Sequence, residues 1–130
     1  MARVVIDAGV LIALYNDNDL HHRWAVDFLI QSTNSELHMS SLNLAEVIVQ
    51  PIRQGVLEKL ISGIKGLGVE LTGVSKEAAI ALAGLRATTN LPMPDCCLIA
   101  LAQDKKASLA TTDKGAAKAA RALGLDVYQP

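Results

Sequence analysis

Val4-Val5-Ile6-Asp7-Ala8-Gly9-Val10-Leu11-Ile12 is the stretch from which the rest of the chain can be read. Three β-branched residues in a row suit a strand buried on both faces. Asp7 ends that run. The apolar segment behind it, residues 8–15, reads as a helix with the acid at its start, where an Asp side chain can cap free backbone N–H groups. A strand, an acid and a helix in immediate succession are the opening of an alternating α/β chain.

The pattern repeats to the end of the sequence. Asn16-Asp17-Asn18-Asp19 has turn chemistry. Residues 21–31 form an expected helix with Trp24, Val26, Phe28 and Leu29 on its apolar face and Asp19 as its cap. Residues 36–40 read as a strand. Residues 42–50 read as a helix, from Leu44, Val47 and Ile48 at spacings of three and four, with Pro51 as a kink point. Further helices are expected over 55–64, over 75–87 with Ser75 as cap, from Asp95 to about residue 105, and over 114–123 up to Gly124. Between them lie short strands at 69–72, 108–111 and 126–128. Strands separated by helices imply parallel pairing, because a parallel neighbour requires a crossover. The expected architecture is α/β: a three-layer α/β/α sandwich around a central parallel sheet, in one domain spanning residues 1–130.

Composition narrows the function classes. Of the 130 residues 51% are hydrophobic and 19% charged, enough to build a core and incompatible with disorder over most of the chain. Aromatic residues are only 3%, so recognition of bases by stacking on aromatic platforms is excluded. Twelve Lys and Arg against 13 Asp and Glu leave a formal charge of −1 and no general basic field, so any contact with nucleic acid must use local patches or a metal. The two cysteines, Cys96 and Cys97, are adjacent, and they lack the spacing of a zinc site or a redox pair. Cys97 with Leu98 and Leu101 matches a helix face, so both read as small core residues. Free thiols fit a reducing, cytoplasmic setting. No signal peptide is expected, and the apolar runs fall well short of the roughly 20 residues of a membrane span.

Four acids stand out. Asp7 lies amid apolar residues, Asp113 follows the strand at 108–111, Asp95 opens a helix, and Glu46 is the one acid between Leu37 and Ile52. Each has an ordinary structural reading. An Asp at a helix start acts as a cap worth roughly 0.5–2 kcal/mol, and a helical Glu faces water. Jointly they say more. Open α/β sheets bind ligands at the carboxyl ends of their strands, and the proposed order of elements sends at least three of these acids there. Carboxylates a few ångströms apart repel by roughly 1–4 kcal/mol per pair, and a site made only of carboxylates suits a hard cation, Mg²⁺ or Mn²⁺. There is no phosphate-binding Gly-rich loop, and His21, His22 and His38 lack metal-ligand spacing and read as structural or surface residues.

The segments Val5-Ile6-Asp7-Ala8-Gly9-Val10-Leu11-Ile12-Ala13-Leu14, Ser41-Leu42-Asn43-Leu44-Ala45-Glu46-Val47, Leu91-Pro92-Met93-Pro94-Asp95-Cys96-Cys97-Leu98-Ile99-Ala100-Leu101-Ala102 and Leu109-Ala110-Thr111-Thr112-Asp113 together resemble the PIN-domain family, most of all the VapC-type toxins of toxin–antitoxin pairs. His21-His22-Arg23-Trp24-Ala25 resembles the second helix of these toxins. The resemblance covers essentially the whole chain. It implies an α/β/α sandwich, a quartet of site acids at Asp7, Glu46, Asp95 and Asp113, a Mg²⁺- or Mn²⁺-dependent ribonuclease activity, a homodimer, and a cognate VapB-type antitoxin whose C-terminal segment enters the acidic groove. One departure concerns the residues after the last acid: an aromatic often follows there, and this chain has Lys114-Gly115-Ala116-Ala117.

On this reading the catalytic and metal-binding residues are Asp7, Asp95, Glu46 and Asp113, with Asp7 and Asp95 as direct ligands of the principal ion. Thr112, Lys114 and Lys118 are candidates for contacting the RNA substrate, and Thr111 and Thr112, next to Asp113, for hydrogen-bonding a water or ligand, set against an ordinary turn and solvated-surface role. Two alternatives belong to other classes. One is a catalytically inactive PIN-like binding module acting through a partner protein. The other is a receiver-like phosphoacceptor domain, which wants a paired acid near the first strand and a lysine after a late strand; Lys105-Lys106 instead precedes the strand containing Leu109.

Overall fold

A computed structural model describes residues 1–130. Five strands, β1 (Arg3–Ile6), β2 (Glu36–Ser40), β3 (Glu70–Thr72), β4 (Ser108–Ala110) and β5 (Val127–Tyr128), form one sheet in the order β3-β2-β1-β4-β5. Every pairing is parallel, with Val5 opposite His38 and Leu109 and with His38 opposite Glu70. Seven helices connect them: α1 (Ala8–Tyr15), α2 (His22–Gln31), α3 (Ser41–Arg53), α4 (Leu57–Gly66), α5 (Lys76–Thr89), α6 (Met93–Lys105) and α7 (Lys114–Ala122). The expected three-layer α/β/α sandwich is the one observed.

Alternation along the strands divides the core. Val4 and Ile6 with Leu37 and Met39 pack against α1 to α4, together with Val10, Leu11, Ala25, Phe28 and Val47. Val5 and Leu109 point the other way, onto Leu98, Ile99 and Ala102 of α6 and Ala116 and Ala120 of α7. Three of the four aromatics meet: Trp24 stacks on Phe28 at 5.4 Å between ring centroids, and Phe28 meets Tyr128. Cys96 and Cys97 are free thiols buried in this interior, as expected of small core residues. No helix is long and apolar enough to cross a membrane.

Several boundaries differ from the sequence reading. α3 runs through Pro51 to Arg53, because a proline in a last turn forfeits one hydrogen bond without ending the helix. α4 starts at Leu57 and not at residue 55; Gly55 has φ +72°, a turn conformation. α6 begins at Met93, two residues before Asp95, with Pro94 in its first turn, where a missing N–H costs nothing. Asp19 does not cap α2; it accepts the His21 N–H at 2.8 Å, just ahead of that helix.

The sheet order fixes where ligands can go. The chain moves outward from β1 through β2 to β3, then returns to lay β4 against the other side of β1. The connections leaving β1 and β4 therefore diverge, and a crevice opens at the carboxyl ends of those two strands.

Candidate metal centre

Asp7 is the first residue beyond β1, and its backbone N–H still pairs with the Ala110 carbonyl of β4 at 2.9 Å. Its side chain is buried, and each carboxylate oxygen accepts one hydrogen bond. Oδ1 accepts the Ala8 N–H at 2.7 Å, capping α1, and Oδ2 accepts the Thr111 hydroxyl at 2.7 Å. Thr111 is itself completely buried, and its Oγ1 accepts the Asp113 N–H at 3.0 Å. One hydroxyl thus ties the two acids that flank the crevice. Asp113 is exposed and caps α7, its Oδ1 accepting the N–H groups of Gly115 at 2.8 Å and Ala116 at 3.1 Å.

Gly9 explains how the segment after β4 comes so near α1. A Cβ built at that position would run into Thr112 Oγ1. Absence of a side chain there lets the Thr111-Thr112-Asp113 segment lie on the first turn of α1.

Glu46 reaches the same edge from α3, whose N-cap is Ser40 at the carboxyl end of β2. It is exposed, and Asn43 Nδ2 approaches its Oε1 at 3.4 Å. Asp95 is partly buried in the first turn of α6. Since α6 starts at Met93, Asp95 is no N-cap, and no hydrogen bond to its carboxyl is formed within the chain. The capping role expected for three of the acids therefore holds for Asp7 and Asp113 and fails for Asp95.

Electrostatics bring the four together. The Asp95 carboxyl is pushed up to about 6, first by loss of water and then by the charges of Asp113, Asp7 and Glu46. Asp7 is also raised, chiefly by burial; its bonds to Thr111 and Ala8 oppose the shift, and Glu46 and Asp113 add to it. The charges of Glu46 and Asp113 act on Asp7, and those of the other three acids act on Asp95, so the four are near enough to bias one another's protonation. As the side chains stand, no three of them close into a ready metal-binding group. The donor set is all oxygen, which suits Mg²⁺ or Mn²⁺.

Other titratable residues stay apart from this edge. His22 Nδ1–H donates to the Ala13 carbonyl at 2.7 Å, joining α2 to α1. His38 is buried in β2, with Nδ1 3.7 Å from Glu70 Oε2 of β3. A hollow of about 240 Å³ between α5 and α6 reaches Ser40, Thr72, Leu82 and Cys97 and includes none of the four acids. Lys114 and Lys118 are exposed on α7, just beyond Asp113, and Thr112 is half-buried against Gly9. Two polar residues take roles at this edge that the sequence did not specify: Thr111, expected only as a neighbour of Asp113 able to bond a water or ligand, ties two acids, and Asn43, not singled out at all, is the partner of Glu46. Their sequence signal is slight: a Thr two residues before an Asp, and an Asn three before a Glu.

The family profile described as PIN domain matches residues 4–122. No curated protein matches in sequence. Among solved structures, VapBC2 from Rickettsia felis bound to a DNA fragment from their promoter is 16% identical, covers 98% of each chain and has a TM-score of 0.74. DNA-bound VapBC from Salmonella typhimurium is 18% identical, with 99% of this chain and 98% of that one covered and a TM-score of 0.73. VapC20 from Mycobacterium tuberculosis, described as a Sarcin-Ricin loop cleaving toxin, is 15% identical, with 89% and 94% covered and a TM-score of 0.73. At these identities the likeness is one of fold.

Proposed function

Given that the chain belongs to the PIN-domain family, we propose that it is the toxin of a VapBC-type toxin–antitoxin pair, a cytoplasmic Mg²⁺- or Mn²⁺-dependent endoribonuclease that works as a homodimer and is held in check by a VapB-type antitoxin. The observation that carries the catalytic part is Asp95. It is an acid that caps nothing and accepts no hydrogen bond, and its carboxyl is raised to about 6 first by burial and then by the charges of Asp113, Asp7 and Glu46. An arrangement that costs stability and caps nothing is expected where a cation is used. The antitoxin and the RNA substrate are supported by the neighbours' descriptions, which include VapBC complexes and an RNA-loop-cleaving toxin.

In this reading Asp7 and Asp95 hold the ion directly, and Glu46 and Asp113 complete the pocket. A bound divalent cation supplies charge neutralisation, a more acidic water and stabilisation of the negative charge that grows on the phosphate. The chain's own part is placement. Thr111 holds Asp7 Oδ2 and so fixes the direction of that carboxylate. The α7 cap fixes Asp113 Oδ1 and leaves its second oxygen free of protein partners. Thr112, Lys114 and Lys118 border the acids and are placed to meet the flanking phosphates of the RNA.

The test is cleavage of total RNA by antitoxin-free protein with Mg²⁺ and with EDTA, wild type beside Asp7→Asn and Asp95→Asn. Cleavage that stops on chelation and in both variants, with cooperative melting retained, is the expected result. Full cleavage by either variant overturns the mechanism. No cleavage of any RNA together with no Mg²⁺-dependent stabilisation favours the inactive binding module.

A further inference from the structure

We propose that Asn43 is a positioning residue of the acidic edge: its side-chain amide brackets Glu46 to the turn that carries Asp95, and this bracket sets the strength with which the site holds a divalent cation. The proposal rests on the cation-binding reading of the four acids.

Asn43 is completely buried, although a primary amide gains nothing from a core position by itself. Nδ2 donates to Glu46 Oε1 at 3.4 Å and to the Pro94 carbonyl at 3.2 Å. Both partners are acceptors only, so they determine which end of the amide faces them. One partner is an acid of α3. The other is the backbone carbonyl immediately before Asp95 in α6. Two acids that are 49 residues apart in sequence (95 − 46) are thereby joined through one nitrogen.

The joint matters most for Glu46. Its carboxylate is exposed, and the Asn43 amide is the one group that hydrogen-bonds it. Left alone, such a side chain spreads over many rotamers, and ordering it must come out of the binding energy of the ion. The opposite end of the amide makes the same point. Asn43 Oδ1 is buried and has no partner. An asparagine kept only to clamp two helices would be expected to use its carbonyl, since an unsatisfied buried acceptor costs about 1–3 kcal/mol. What keeps the amide in place is therefore its nitrogen, which serves Glu46 and the Pro94 carbonyl.

The experiment is Mn²⁺ binding to the RNA-free protein, followed by the electron paramagnetic resonance signal of free Mn²⁺, for wild type, Asn43→Leu, Glu46→Ala and the double variant. Leucine is close in size and removes both bonds. The expected result is a Kd about tenfold or more weaker for Asn43→Leu, in line with the loss of a group that orients a ligand. In the double variant the losses should combine to less than their product, because the amide acts through Glu46. Losses that multiply in full, or an Asn43→Leu Kd within about twofold of wild type, overturn the proposal. If the wild type binds no Mn²⁺, the cation reading itself fails and Asn43 has nothing to position. If wild type and Glu46→Ala differ while Asn43→Leu matches wild type, only the Asn43 role fails.

Should Asn43→Leu not fold by circular dichroism, Asn43→Thr, with a single hydroxyl donor, should give an intermediate Kd. The wild type supplies an independent reading. Its Asn43 side-chain ¹⁵N–¹H pair should shift on addition of Mg²⁺, and that shift should vanish in Glu46→Ala. Resonances that do not move overturn the proposal.

Discussion

Asp95 differs from its three companions in what the fold asks of it. Asp7 caps α1 and holds Thr111, Asp113 caps α7, and Glu46 is met by Asn43. Asp95 accepts no hydrogen bond; it lies in the first turn of α6, where the helix dipole favours an acid, but burial and three neighbouring charges penalise its ionised form, and that penalty depends on pH. Its folded value of about 6 lies above the ordinary 3.8, so the folded chain binds the proton more tightly than the unfolded chain does. The associated stabilisation is complete below pH 3.8 and is lost as pH rises through about 6. Asp7 is shifted in the same direction and adds to the trend. In the absence of divalent cations the melting temperature should therefore fall between pH 5 and pH 7.5. Asp95→Asn cannot ionise, so it should raise the melting temperature at pH 7.5 and flatten the profile. Because the side chain is only partly buried, the gain is discounted to roughly 1 kcal/mol, or about 3–5 °C. A variant that melts below wild type at pH 7.5 would contradict this account. The acids were legible in the sequence because a charge among apolar residues needs a reason. Thr111 was legible only as a neighbour of Asp113 able to form a hydrogen bond, and Asn43 not at all, since nothing in the spacing of a neutral polar residue announces that it is buried.

At the scale of elements, the strands were readable from short β-branched or apolar runs, and helix starts from Ser75 and the two capping aspartates, whereas the Ser40 cap of α3 was not read. The discrepancies lie where proline and glycine admit more than one outcome. Pro92-Met93-Pro94 reads as an interruption, yet Pro94 fits the first turn of α6, and the start of the helix moves two residues ahead of Asp95. That shift is what deprives Asp95 of a capping role. The contact between α1 and the segment after β4 was likewise invisible, because it depends on the side chain that Gly9 lacks. It makes a testable pair. Alanine in place of glycine within a helix ordinarily gains about 0.5–1 kcal/mol. At position 9 the new Cβ meets Thr112 Oγ1, so Gly9→Ala should gain nothing or lose stability in urea unfolding. In a Thr112→Ala background the same substitution should recover the ordinary gain, a coupling of about 0.5 kcal/mol or more. Equal effects in both backgrounds would mean that the close approach is not what keeps glycine there.

For the molecule as a whole, the sequence implied parallel strands but not their order, and the order creates the site. Placing β4 beside β1 brings Asp7 and Asp113, 106 residues apart (113 − 7), to the same crevice, where one threonine joins them. The same placement poses an electrostatic problem. The chain has a net charge of −1, whereas the RNA of the proposed function is a polyanion. On that proposal a cation among the four acids would offset only the scissile phosphate, so the flanking phosphates would need their own positive groups. The exposed Lys114 and Lys118 of α7 begin next to Asp113 and are the candidates. Each lysine that truly neutralises a phosphate of a single strand releases counterions, adding about 0.7 to the slope of log affinity against log salt concentration. Replacing both by alanine at saturating Mg²⁺ should raise KM, change kcat little and reduce the salt slope of log kcat/KM by roughly 1.4. A single replacement should give about half that reduction. If the slope is unaltered in the double variant, the two lysines face only water, and the RNA must be gripped by basic groups elsewhere, such as the partner copy of a dimer.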